Sequence, residues 1–244
     1  MAFSWSLNKN KINPVIENWI TDDIKYMGGV TANKIHIDKY IIDKYLRDKV
    51  GGFFIEAGGN DGTTQSNTYV LEKHLKFNGL LIEPSTIQYK KSLLSRNCKI
   101  YNKALVSFEY KDSHVLGDFN TDDDRGGLMS SVGGKRLNSS NLISVEACTL
   151  QSILDELNVK HVDFFSLDVE GYELEVLKGI DFEKVIMDYI LVEFNPYKLE
   201  ELMDFMKNKG FVFLENVSNY ARETNPQWDG LHNDYLFKYN MIYK

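Results

Sequence analysis

Three short segments of this 244-residue chain carry residue types and spacings that could do chemistry. The first is FFIEAGGNDG at 53–62, where Glu56 precedes Gly58, Gly59, Asn60, Asp61 and Gly62. Glycines that follow an apolar run let the backbone turn sharply and let a ligand approach main-chain N–H groups. The second is LLIEP at 80–84, whose Glu83 lies 21 residues after Gly62. At that distance an acidic side chain meets ribose hydroxyls in βαβ nucleotide sites. Two hydroxyls facing one carboxylate make a bidentate, charge-assisted pair. The third is SLDVEGYELEVLKG at 166–179, in which Asp168 and Glu170 flank Val169. Side chains two apart on a strand share a face, so both carboxylates can serve one site.

The glycine segment reads E-x-G-x-x-x-G, not the G-x-G-x-x-G of dinucleotide enzymes. A pyrophosphate is repelled by Glu56 and Asp61 near the helix start, whereas a ligand carrying an ammonium and a sulfonium tolerates them. The chemistry therefore favours S-adenosylmethionine over NAD. A tight turn without any ligand is the competing structural reading of a glycine cluster, and the matched Glu83 speaks against it. Pro84 and Ala104 complete the expected cofactor-binding set of Glu56, Gly58, Gly59, Asn60, Asp61, Gly62, Glu83 and Asp168.

These residues need a scaffold that brings strand ends together. FFIEA (53–57) and LLIEP (80–84) read as buried parallel strands, with helices at 64–77 and 87–96 and a third strand at 99–107. A helix at 150–158, a strand at 162–169 and a helix starting near Tyr172 follow, then a strand at 189–194, a helix at 197–210 and strands at 211–215 and 234–239. This alternation predicts an α/β protein with right-handed crossovers. The last strands form an antiparallel hairpin. Residues 1–50 read as an N-terminal helical extension, its clearest element being DKYIIDKYLRDK at 38–49, and residues 51–244 as the catalytic domain. An insertion at about 108–141 breaks the rhythm. Its part 119–141 is rich in Gly, Ser, Asn and Asp and too long for a simple connector.

The runs at 51–85 and 162–179 resemble the FkbM family of methyltransferases, and the first also resembles the FkbM-like domain of Star-type proteins. The resemblance spans about Asp38 to Tyr239. It implies a class I methyltransferase (Rossmann-like) α/β/α sandwich, mostly parallel with an antiparallel C-terminal strand, and S-adenosylmethionine as donor. Many relatives methylate hydroxyls, often on sugars, which makes an O-methyltransferase acting on a glycan or glycosylated small molecule the leading expectation. Gly59 stands where the family often has Ala, and the loop 119–141 lies outside the shared pattern.

Methyl transfer to a hydroxyl needs positioning and a group that takes the proton. Asp168 is expected to orient the donor's amino-acid portion or the acceptor hydroxyl. Either Asp168 or Glu170 could be a general base, and together they could hold a divalent cation. The structural alternative has Glu170 capping the next helix. Glu193 ends a strand at the same sheet edge, and His232 precedes the last strand as a second candidate base. Trp228 could stack on a sugar ring or plug the core. The other histidines, among them His161, show no ligand spacing.

Composition narrows the partners. A net charge of -7 with 43% hydrophobic residues describes a folded acidic protein and argues against nucleic acid as the main partner. Together with the absence of an (N/D)PP(Y/F) run, it also argues against transfer to a nucleic-acid or protein nitrogen. A non-catalytic module on the same fold is the other alternative. Cys98 and Cys148 form no CxxC motif and read as free thiols. No 18-residue apolar stretch or signal peptide is evident, so the expected place is cytoplasmic.

Overall fold

The computed structural model describes residues 24–119, 131–133 and 141–240. Seven strands make the main sheet: β1 (Phe53–Ala57), β2 (Asn78–Ile82), β3 (Lys99–Tyr101), β7 (His161–Leu167), β8 (Ile186–Phe194), β9 (Phe211–Asn216) and β10 (Asn233–Tyr239). Their order is β3-β2-β1-β7-β8-β10-β9. All pairs are parallel except those of β10, which runs antiparallel to both β8 and β9. The chain leaves β1 outward to β2 and β3, then returns to lay β7 on the other side of β1. That reversal opens a crevice at the carboxyl ends of β1 and β7, where open α/β sheets bind ligands.

Period-2 alternation assigns each strand residue to a face. Ile55, Phe165, Ile190 and Phe237 pack on one side with α4 (Leu150–Glu156), α5 (Glu173–Leu177) and α6 (Leu199–Asn208). Phe54, Phe164, Leu191 and Leu236 pack on the other with α1 (Ile37–Ile41) and α2 (Tyr69–Lys73). Both faces are covered, so the central strands read as near-continuous apolar runs.

Three expectations about the elements are corrected. The helix expected at 64–77 is formed only as α2. Residues before it make a loop instead, because Thr64, Ser66 and Thr68 spend their hydroxyls on Asp61 and Glu56 rather than on a helix, and Gln65 takes a φ of 58°. The strand expected at 99–107 divides. Asn102 donates to the carbonyls of Glu83 and Pro84, and beyond it β4 (Ala104–Leu105) leaves the main sheet. β4 joins a three-stranded sheet, β4-β6-β5, with β5 (His114–Gly117) antiparallel to β6 (Ile143–Cys148). The expected insertion is thus partly ordered sheet. Residues 120–130 and 134–140 of it lie outside the described residues, as does most of the loop assigned to 119–141.

The described N-terminal segment supplies α1, which continues into a π-helical turn at Ile42–Leu46. Ahead of α1 the chain forms a strap. Gly28 bridges Gln65, the Ala32 N–H donates to the Ser218 carbonyl, and the Tyr220 hydroxyl donates to the Val30 carbonyl. Residues 1–23 lie outside the described residues. Among the described residues no helix is long and apolar enough to cross a membrane.

Candidate active site

The crevice holds a cavity of about 540 Å³, a size suited to one ligand of drug-like bulk. Gly58, Gly59, Asn60, Glu83, Pro84 and Ala104 line one end. Asp168, Glu170, Glu193, Trp228 and His232 line the other. The strap contributes Gly29 and the start of α1 contributes Ile37.

At the first end Glu83 follows β2 and is buried. One carboxylate oxygen accepts the Asn60 N–H at 2.8 Å and the other the Ser85 N–H at 2.7 Å. Each oxygen keeps lone-pair capacity beyond its backbone partner. Burial raises the Glu83 carboxyl to about 7, against the pull of those two N–H groups. Asn60 reaches this position with a φ of 47°, and its side-chain oxygen is buried without a hydrogen-bond partner. Gly58 is required: at its φ of 82° an added Cβ would sit 1.6 Å from the Asp168 carbonyl oxygen.

Three members of the expected cofactor set make contacts within the protein. Glu56 lines the cavity, yet its carboxylate is consumed internally. It accepts the Ser66 and Thr68 hydroxyls, the Asn67 N–H and the Arg96 guanidinium at 3.0 Å. Its charge is countered by Arg96. Asp61 accepts the N–H and hydroxyl of both Thr63 and Thr64, which hold its pKa low against burial, and it does not line the cavity. Gly62 also lies off the cavity. A Cβ there would strike the Arg96 and Ser95 side chains at 2.7 Å, so this glycine serves close packing on α3 (Thr86–Ser95).

At the second end, strand register assembles the acids. Leu167 pairs Val192, which sets Asp168 beside Glu193, and Glu193 pairs Asp234 across β8 and β10. Carboxylate atoms of Asp168, Glu170 and Glu193 all lie within 4.8 Å of one another. Burial, then the charges of Asp168, Glu170 and Asp234, push the Glu193 carboxyl well above the usual range. Burial and Asp168 bring Asp234 to about 7. Glu170 adopts a φ of 55°, an uncommon conformation for a non-glycine residue, and faces the cavity rather than capping α5. The helix-side role belongs to Glu173, which accepts the Val169 and Gly171 N–H groups. Burial raises Glu173 to about 7.

His232 lies 3.2 Å from Asp229 and packs edge-on against Tyr220 and Trp228. The Trp228 indole donates to the His232 carbonyl, and its ring lines the cavity rather than plugging the core. Sequence reasoning missed Asp234, Asn67, Lys103 and Tyr220. Asp234 had a usable signal in its place on the same strand as Tyr235, two residues after His232. The others had none, because loops and a split strand place them. His161 approaches Asp163 and Asp188 at the opposite end of the sheet, where the Lys49 ammonium already contacts both acids.

Glu83, Glu173, Glu193 and Asp234 all have folded-state pKa values above their unfolded ones. These four groups therefore hold more protons in the folded protein than in the unfolded chain as pH rises from their unfolded values toward about 7. Their contribution is fully present below the unfolded pKa and is lost as pH rises through about 7. The ligand-free protein is expected to melt at higher temperature at pH 5.5 than at pH 8.5, as read by calorimetry. A higher melting temperature at pH 8.5 would contradict this assignment of the buried acids.

Residues 56–213 match the model of the methyltransferase FkbM domain. The chain belongs to the FkbM methyltransferase family. The family match contains Glu83, Asp168 and Glu193 and ends before Trp228, His232 and Asp234. The chain is 26% identical over 234 residues to Methyltransferase 1 of Beauveria bassiana, covering 83% of this chain and 91% of that one. The methyltransferase FkbM structure from Methylobacillus flagellatus is 13% identical, with 83% of this chain and 48% of that one covered at a TM-score of 0.45. A putative RNA methyltransferase structure from Pyrococcus horikoshii is 11% identical, with 84% and 80% covered at a TM-score of 0.44. The seven-stranded order with its antiparallel last strand gives this FkbM chain the class I methyltransferase fold.

Proposed function

We propose that this FkbM protein transfers a methyl group from S-adenosylmethionine to a hydroxyl, on a sugar, a glycan or a glycosylated small molecule. One juxtaposition carries the reading. A single cavity holds a carboxylate suited to a ribose diol, Glu83, and a carboxylate with raised proton affinity, Glu193, amid Asp168, Glu170 and Asp234.

The donor end fits the cofactor. Glu83 is pre-aimed by two backbone N–H groups, and the unpartnered side-chain oxygens of Asn60 and Asn67 offer acceptors to an ammonium. Ala57, Gly58 and Gly59 leave backbone approach open, while Pro84, Lys103, Ala104 and Leu105 frame the remaining wall. The bound donor supplies an electrophilic methyl on a sulfonium. Glu193 takes the proton released from the acceptor oxygen, since a base with elevated pKa accepts it more readily near neutral pH. Asp168 orients the acceptor hydroxyl, and the Trp228 ring offers a flat apolar face to a sugar. His232 lines the same end, with its ring edge-on to Trp228, and is the second candidate to take the proton.

The Asp168, Glu170 and Glu193 spacing also suits a hard divalent cation. Transfer that withstands EDTA assigns the cluster to proton handling. The test of function is methyl transfer from labelled donor to a panel of nucleotide sugars, neutral glycans and glycosides, with and without EDTA. O-methylated sugar in the product supports the reading. Donor binding with no transfer to any carbohydrate, or methylation at nitrogen, overturns it.

Glu83→Ala removes both donor-facing acceptors and leaves two buried N–H groups unpaired. Hydrogen bonds to a charged group contribute about 1.5–3 kcal/mol each, so the loss of two is expected to lower donor affinity by at least roughly 150-fold. Isothermal calorimetry with S-adenosylhomocysteine measures it. Unchanged affinity in a folded variant would remove Glu83 from the ribose.

A further inference from the structure

The turn that carries Asp168 and Glu170 has an uncommon backbone. Glu170 takes a φ of 55° and Gly171 a φ of 96°, so two successive residues lie in the left-handed region. Glycine meets that demand at no steric cost. A glutamate does not, and it stays there only where its surroundings hold it.

The Glu173 carboxylate is placed to hold it. Its Oε1 accepts the Val169 N–H at 3.1 Å and the Gly171 N–H at 2.8 Å, the two amides on either side of Glu170. Glu173 is 2% exposed, which shields both bonds from competing water. The turn is anchored at each end. Upstream, the Asp168 N–H donates to the Ala57 carbonyl at 3.0 Å, and the Asp168 carbonyl packs against Gly58. Downstream, Val176 and Leu177 of α5 are buried in the core. One carboxylate therefore ties the strained residue between a fixed strand end and a fixed helix.

Starting a helix does not need this arrangement. Ser85 and Thr149 start α3 and α4 with a single hydroxyl each. Glu173 instead keeps a carboxylate buried, against the cost of desolvation, and spends it on the turn that precedes its helix. It does not line the main cavity, whereas Asp168, Glu170 and Glu193 all do. Its effect on a ligand there must pass through those residues.

We propose that Glu173 is a positioning residue for methyl transfer: by holding the Val169 and Gly171 amides it fixes Glu170 in the left-handed conformation and so sets the Glu170 carboxylate against Asp168 and Glu193. The inference rests on the hydroxyl-transfer reading above, in which that cluster handles the acceptor's proton, and adds a residue that governs the cluster from outside the cavity. Without the two bonds Glu170 relaxes to an ordinary φ, and its carboxylate leaves the group.

Two variants separate reach from charge. Glu173→Gln keeps the length and one acceptor oxygen and loses the charge. Glu173→Asp keeps the charge and loses one methylene of reach. Three quantities are measured: transfer to the sugar that the native protein methylates best, S-adenosylhomocysteine affinity by calorimetry, and hydrogen exchange of the Val169 and Gly171 amides by NMR. In Glu173→Asp, kcat is expected to fall at least roughly tenfold, since small misplacements of reacting groups are costly, while acceptor KM and S-adenosylhomocysteine affinity stay within about threefold. Both amides should exchange at least roughly tenfold faster. Glu173→Gln should keep kcat within about threefold of native and both amides protected. Native kcat in Glu173→Asp, or equal impairment in Glu173→Gln, would overturn the positioning role. So would a parallel loss of kcat and donor affinity, which marks general loosening of the fold. If the native protein methylates no sugar, the hydroxyl-transfer reading falls by itself, and unchanged exchange in Glu173→Asp would overturn the hold on the turn separately.

Discussion

Arg96→Met is expected to destabilise the protein by about 3–5 kcal/mol, the typical cost of removing one partner from a buried ion pair. The Arg96 side chain is 0% exposed, and its partners Glu56 and Glu72 are 5% and 6% exposed. It donates to Glu72 at 2.7 Å, to Glu56 at 3.0 Å, to the Thr68 hydroxyl at 2.8 Å, and to the Gly62 carbonyl and Ser66 hydroxyl at 3.1 Å. One guanidinium thus ties the end of β1, the whole 58–68 turn and the start of α2 to the end of α3. Methionine fills part of the volume but strands the Glu56 carboxylate without its counter-charge and leaves Glu72 with Lys73 alone. Denaturant unfolding should show the loss, and S-adenosylhomocysteine affinity should weaken as the turn loosens. Pairing the change with Glu56→Gln should recover part of the stability, because the stranded charge is gone. A single variant as stable as the native protein would show that the pair contributes only shape.

Glu193→Gln is expected to lower kcat by roughly 10²- to 10⁴-fold, the usual contribution of a positioned general base. The substitution keeps size, replaces one acceptor oxygen by an amide donor and removes the ability to take a proton. Glu193 stands at the acceptor end of the cavity, so S-adenosylhomocysteine affinity should stay within a few-fold. The native pH–rate profile should rise through the elevated Glu193 pKa, because the base must be ionised to act. The variant should lose that limb. Since Glu193 pairs Asp234 and neighbours Asp168, the limb belongs to the group of acids and not to one residue. A variant retaining full kcat, or losing donor binding in parallel, would move the proton to another acceptor.

Much of the donor end was readable from local pattern. FFIEA followed by glycines announces a buried strand and a tight turn whatever the rest of the chain does, and Gly58 occupies a backbone position that admits no Cβ. The spacing to Glu83 reflects the length of one strand–helix–strand passage, so a single measurement along the chain located it. The same local logic did not reveal the internal partners of Glu56 and Asp61. Their charges looked like ligand selectors beside a glycine loop, yet Arg96, 40 residues beyond Glu56, and the hydroxyls of Thr63 and Thr64 absorb them. Which carboxylate is neutralised depends on what folds against it.

Element order, the two-faced burial of the central strands and the place of Glu83 follow from periodicity and glycine chemistry, which act over a few residues. The proton-handling cluster does not. Asp168, Glu193 and Asp234 come from three strands distant in the chain, and only the parallel register of β7 on β8 and the antiparallel register of β10 on β8 bring them side by side. A shift of one residue in either register would turn an acid to the opposite face of the sheet. The β4-β6-β5 sheet and the strap that roofs the cavity are likewise products of non-local pairing. Non-local contacts are set by closure of the whole sheet, and no short stretch of sequence encodes them by itself.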